Sequence, residues 1–122
     1  MNVLIVDDEQ LVLADMVEML ENIKQVEEIR SFSKSREALA YALENDVDVA
    51  ILDIDMPGIN GLDLAHEILK AHPKADVIFS TGFGEFALDA YRVKASGYLM
   101  KPIKKTKLEA ELEHIKELRQ KQ

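Results

Sequence analysis

The sequence contains no cysteine, which excludes disulfides, thiolate nucleophiles and cysteine-ligated metals together. It has no apolar stretch near the roughly 20 residues needed to span a bilayer. The short apolar run after Met1-Asn2 has no basic region before it, so a signal peptide is not expected. The expected compartment is the cytoplasm, with which the lack of cysteine is compatible. A basic excess is also missing: 23 acidic against 15 basic residues give a formal charge of −8. Such a surface repels nucleic acid, whose binding rests on Lys and Arg displacing counterions from phosphates. No direct nucleic-acid contact and no membrane contact are therefore expected. The first 56 residues hold no glycine or proline, since all 5 glycines and all 3 prolines come later. The later loops thus carry the unusual backbone geometry that a ligand site demands.

What is present is one domain's length, 122 residues with a normal apolar fraction of 48%. Short apolar runs alternate with helical stretches. Val3-Leu4-Ile5-Val6 stops at Asp7-Asp8. Apolar residues at Leu13, Met16, Val17, Leu20 and Ile23 then follow helix spacing from Glu9 to about Ile23. A strand is predicted over 27–32, and a helix capped by Ser33 or Ser35 runs to about Glu44. Val49-Ala50-Ile51-Leu52 ends at Asp53, and Asn60 starts a helix lined by Leu62, Ala65, Ile68 and Leu69 that stops near Pro73. Val77-Ile78-Phe79 ends at Ser80-Thr81-Gly82. A helix is predicted over 85–93, and Tyr98-Leu99-Met100 ends at Lys101-Pro102. A last amphipathic helix carries Leu108, Leu112, Ile115 and Leu118.

Five strands alternating with five helices argue for an α/β fold, a parallel sheet buried by helices on both faces. Right-handed crossovers bring every strand's C-terminal end to one edge, where open α/β sheets bind ligands. Asp7, Asp8, Asp53, Thr81 and Lys101 all stand at that edge. Three converging carboxylates repel one another unless a cation neutralises them, and with oxygen ligands alone Mg²⁺ is the expected ion. An aspartate beside that ion can form an aspartyl-phosphate. Lys101, the Thr81 hydroxyl and the Gly82 amide are then placed to meet the charge on the phosphoryl oxygens. Each residue taken singly is ordinary: an Asp after a strand caps a turn, and a Lys is a solvated charge. Their joint occurrence, each at its own strand end, is what carries the reading.

The segments LIVDDE at 4–9, AILDIDMPGINGLDL at 50–64, VIFSTG at 77–82 and GYLMKP at 97–102 resemble the receiver domain of two-component response regulators, over essentially the whole chain. The resemblance implies a doubly wound, flavodoxin-like five-stranded sheet of order 2-1-3-4-5 forming one receiver domain over 1–122. It implies that Asp53 is the phosphoacceptor, that Asp8 ligates Mg²⁺ directly and Asp7 through water, and that Asp55 offers its backbone carbonyl. Thr81 and Tyr98 become the switch pair, Lys101 the phosphate-contacting lysine, and Lys101-Pro102 a cis peptide. The implied donor is a sensor histidine kinase or phosphotransfer protein, and the implied product a self-dephosphorylating switch, not a turnover enzyme. The output surface is then the predicted 85–93 helix with the last strand and last helix, acting on an output domain or partner protein, with control of transcription as the expected output, or forming a phosphorylation-dependent homodimer. GEFALDAYRVKASGYLMKP resembles receivers that precede LytTR-type DNA-binding domains, with Gly97 where that group often has Asp. Asp55 and Phe83 fall at the positions that tune phosphate lifetime. A stand-alone receiver acting by protein contact is the alternative. Asp53-Ile54-Asp55 also resembles the motif of haloacid-dehalogenase-type phosphatases, but there it follows the first strand, and a cap domain has no room here.

Overall fold

The computed structural model describes residues 1–82 and 95–121. The helix predicted over 85–93, and Phe83 with it, lie outside the described residues. In chain order the elements are β1 (Asn2–Val6), α1 (Gln10–Glu21), β2 (Glu28–Phe32), α2 (Ser35–Glu44), β3 (Val49–Asp53), α3 (Gly61–Ala71), β4 (Asp76–Thr81), β5 (Gly97–Met100) and α4 (Lys105–Gln120). The strands form one parallel sheet of order β2-β1-β3-β4-β5, as expected.

The strand sequences explain the two-sided burial. Alternate residues point to opposite faces, and here both sets are apolar. Leu4, Val6, Ala50, Leu52, Val77 and Phe79 pack under α2 and α3, with Ala38, Ala42, Leu64, Ala65 and Ile68. Val3, Ile5, Val49, Ile51, Ile78 and Leu99 pack under α1 and α4, with Leu13, Met16, Leu20, Leu108, Leu112 and Ile115. Burying one such side chain contributes about 1.5–3 kcal/mol, so the central strands are held from both sides. The five strand ends therefore form a stable rim.

Three local expectations need correction. Neither Ser33 nor Ser35 caps α2: Lys34 holds the cap position without a side-chain bond, and Ser35 is buried as the first helical residue. The buried face of α3 is Gly61, Leu64, Ala65 and Ile68, with Leu62 and Leu69 only half-buried at its margins. Leu118 is 45% exposed, because the core under α4 ends at Ile115. The cap at Asn60 does form, its side chain accepting from the Asp63 amide at 2.9 Å. His66 and His114 are exposed, while the His72 ring nitrogen donates to the Ala42 carbonyl and ties the end of α3 to α2.

At the opposite end of the sheet, Arg119 holds α4 down. Its Nε donates to Asp76 Oδ2 at 2.9 Å and its Nη2 to the Asp48 carbonyl at 2.7 Å. Asp76 in turn accepts from Ser96 Oγ at 2.6 Å, and Asp48 from the Asn2 amide at 2.7 Å.

Candidate functional site

The rim brings together the residues that the sequence sets at separate strand ends. Asp7 follows β1 and is fully buried, whereas Asp8 beside it is exposed. Asp53 ends the central strand β3 and is 3% exposed. Oxygens of these three carboxylates, one from each, lie within 4.8 Å of one another. From the far side Lys101, directly after β5, brings its ammonium to 2.9 Å from Asp7 Oδ2 and 3.4 Å from Asp53 Oδ2. Its backbone amide donates to the Thr81 carbonyl at 2.8 Å, continuing the β4–β5 ladder into the site, and its bond to Pro102 is cis, as the resemblance implies.

Neighbouring backbone holds the acids in place. The Glu9 amide donates to Asp7 Oδ1 at 2.9 Å, and the Asp55 amide approaches Asp53 Oδ1 at 3.3 Å. The β3–α3 loop is pulled inward by the buried Ile54 and Met56, turns at Gly58 with φ +78°, and returns so that the Gly61 amide donates to the Ile54 carbonyl at 3.0 Å. A Cβ at Gly61 would overlap the Asp53 carbonyl, which is why α3 opens on glycine there.

The electrostatics are unbalanced. Burial, then the charge of Asp7, pushes the Asp53 carboxyl up to about 7, against the smaller pull of Lys101. Burial works against the Lys101 ammonium too, but Asp7, Asp53 and Glu9 outweigh it and raise its pKa. Among the described residues, Lys101 brings its ammonium to Asp7, Asp53 and Glu9. Asp7 Oδ2 is buried without a directed hydrogen bond, its contact with Lys101 being an ion pair rather than an aligned bond. An all-oxygen cluster of three acids, two of them buried, fits a hard divalent cation such as Mg²⁺.

Thr81 is buried at the end of β4, and Gly82 next to it is exposed with open space where a Cβ would stand. Tyr98, on β5, is half-buried against the core under α3. Asp55 is exposed. At position 97, the Glu111 carboxylate from α4 fills the space that a side chain would take, and burial raises its pKa, with His114 opposing. Two features escaped the sequence reading. Glu9 reaches to 3.6 Å from Lys101 Nζ, signalled only by a third acid after Asp7-Asp8. Gly61 carries the close approach just described, and its only sequence signal is a glycine directly after a capping Asn.

The family model described as response regulator receiver domain matches residues 3–113. A positive alginate biosynthesis regulatory protein of Pseudomonas aeruginosa is 43% identical over 107 residues, covering 85% of this chain and 42% of that one. A sensory transduction protein LytT of Bacillus anthracis is 31% identical over all of this chain and 50% of its own length. This chain thus spans about half the length of those curated relatives. Among solved structures, the response regulatory domain of protein mrkE from Klebsiella pneumoniae superposes with a TM-score of 0.90 at 29% identity over the full length of both chains. A receiver domain protein from Clostridium thermocellum does so at 0.85 and 32%, covering 99% and 98%.

Proposed function

This chain belongs to the response regulator receiver family, and from that membership we propose that it is a phosphoacceptor switch with Asp53 as the modified residue. The observation that carries the proposal is the convergence at Asp53. Two further carboxylates and the Lys101 ammonium surround it, and it lies at the end of the most enclosed strand. Mg²⁺, which Asp7, Asp8, Asp53 and the Asp55 carbonyl would hold, supplies positive charge for the carboxylates and the incoming phosphoryl group. An oxygen of Asp53 attacks phosphorus while the P–N bond of a kinase phosphohistidine breaks. The electron pair returns to the imidazole nitrogen, which takes up a proton. Asp53 must be ionised to attack, and Lys101 favours that form. Lys101, the Thr81 hydroxyl and the Gly82 amide meet the charge spread over the phosphoryl oxygens.

The same residues support a readout. Thr81 ends β4, and Tyr98 lies on the neighbouring β5 opposite Phe79. A shift of the Thr81 hydroxyl toward the phosphoryl group is thus passed one strand outward, as a population shift between two conformers. The output is control of transcription through a further domain or a partner, in keeping with relatives named as regulators and twice as long. No helix among the described residues is long and apolar enough to cross a membrane, and we place the domain in the cytoplasm as a switch without turnover chemistry.

Acetyl phosphate with Mg²⁺ should label the chain stoichiometrically, and Asp53→Asn should abolish labelling with the fold intact. Labelling that persists on another residue removes Asp53 from the role, and steady hydrolysis of a phosphomonoester supports the phosphatase alternative instead.

A further inference from the structure

Lys101 is approached by a third carboxylate that the proposed chemistry does not use. Glu9 Oε1 lies 3.6 Å from Lys101 Nζ, with the Glu9 side chain 66% exposed and the Lys101 side chain 16%. Asp7 and Asp53 approach the ammonium from within the site, and Glu9 approaches it from the solvent side. Glu9 is not one of the three acids clustered for a cation.

Its local structure explains the direction it takes. Glu9 occupies the position before α1 where a short polar residue ordinarily caps the helix, yet its side chain makes no capping bond. Its extended backbone, φ −91° and ψ 111°, is pinned through its own amide to Asp7 Oδ1 at 2.9 Å. The carboxylate is thereby released from α1 and delivered over the mouth of the site.

We propose that Glu9 is a positioning residue for Lys101 that competes with the bound phosphoryl group for its ammonium, and so sets how tightly and how long the phosphoryl group is held. The inference rests on the reading of Asp53 as phosphoacceptor. When Asp7 and Asp53 engage the cation and the phosphoryl group, Lys101 must turn to a phosphoryl oxygen. Among the described residues, Glu9 is then the remaining carboxylate paired with it. A residue that shares the ammonium weakens the Lys101–phosphoryl contact by charge competition for the same cation. Because Glu9 is exposed, the effect is modest and sensitive to salt.

Calorimetric titration with beryllofluoride in the presence of Mg²⁺, a phosphoryl mimic, tests this, alongside the half-life of the acetyl-phosphate-labelled protein and the affinity for Mg²⁺ alone. Glu9→Gln should bind beryllofluoride about two- to fivefold tighter at low salt and lengthen the half-life in proportion. Its affinity for Mg²⁺ should stay the same, and the difference should shrink as salt screens the pair. Glu9→Asp keeps the charge but falls one carbon short of Lys101, so it should resemble Glu9→Gln. Equal binding by Glu9→Gln and the unsubstituted chain overturns the proposal. So does a Glu9→Asp variant that behaves like the unsubstituted chain, which would leave only a distant field effect, or a gain mirrored in the Mg²⁺ affinity, which would mean a disturbed α1. If the unsubstituted chain binds no beryllofluoride, the reading of Asp53 fails first and this inference falls with it.

Discussion

Asp7 Oδ2 and the Lys101 ammonium stand 2.9 Å apart, and that contact leaves the oxygen without a directed hydrogen bond. Among the described residues, the Lys101 ammonium is the cation set against the clustered Asp7, Asp8 and Asp53. The consequence appears at Asp53, whose pKa rises from 3.8 to about 7. A carboxyl whose pKa is higher folded than unfolded costs nothing below its unfolded pKa and destabilises progressively above it. Without metal, the contribution of Asp53 to stability should therefore fall as pH rises from about 4 to about 7 and level off beyond. Thermal melts in chelator and in Mg²⁺ should show a metal-induced rise in Tm that is larger at pH 8 than at pH 5. Asp53→Asn should flatten the metal-free dependence and raise the metal-free Tm at pH 8 by a few degrees, about the shift of 1 kcal/mol.

Gly61→Ala tests the close approach behind Asp53. The new methyl group overlaps the Asp53 carbonyl, part of the backbone of a central strand that cannot yield as a side-chain tip would. We expect a loss of about 1–3 kcal/mol in urea unfolding and slower labelling by acetyl phosphate, because relief must displace Asp53 or α3. Gly82→Ala meets nothing within 4 Å and should change stability by less than about 0.5 kcal/mol.

Much of this was legible because strand burial and strand ends leave marks within a few residues. Val3–Val6 and Val49–Leu52 can only be enclosed strands, and the acids after them mark the rim. The expected α3 face of Leu62, Ala65, Ile68 and Leu69 left out Leu64, which the structure buries while Leu62 and Leu69 lie at the margin. Gly61, seated against Asp53, decides the rotation of α3 and brings Leu64 inward. Ser35 has the composition of a cap but faces the interior, and Leu118 keeps helix spacing beyond the last core contact. Glu9 had the appearance of an ordinary helix start until Lys101 was placed beside it.

Arg119 left no mark in the sequence, because its partners Asp76 and Asp48 lie 43 and 71 residues away. Arg119→Ala should lower stability by about 1–2 kcal/mol in urea unfolding, the range of charged hydrogen bonds reduced for partial exposure. Arg119→Lys should recover little of the loss, since an ammonium cannot reproduce the guanidinium's planar fork toward Asp76 and the Asp48 carbonyl.

Glu111 gives a second pH-dependent prediction at a different place. Burial raises its pKa in the folded chain, so its ionised form is disfavoured there and the penalty appears as pH rises above the unfolded value. Glu111→Gln should be slightly more stable than the parent at pH 7, by less than about 1 kcal/mol, and no different below about pH 4. Gly97→Asp should destabilise the chain at pH 7 by bringing a second carboxylate into the space Glu111 fills, and Glu111→Gln in the same chain should restore most of the loss.

Among the described residues, the helix side chains packed on the sheet lie on the inward faces, while the clustered acids and Lys101 sit at strand ends. Substitutions at exposed positions such as Leu11 on α1 or Leu43 on α2 are therefore expected to leave the core and the rim residues undisturbed. On the proposed reading, duplicated copies of such a chain can drift apart in whom they recognise while keeping the same rim residues. Wiring fidelity among parallel circuits would then rest on outer-surface positions remote from the rim, open to redesign without altering the rim itself.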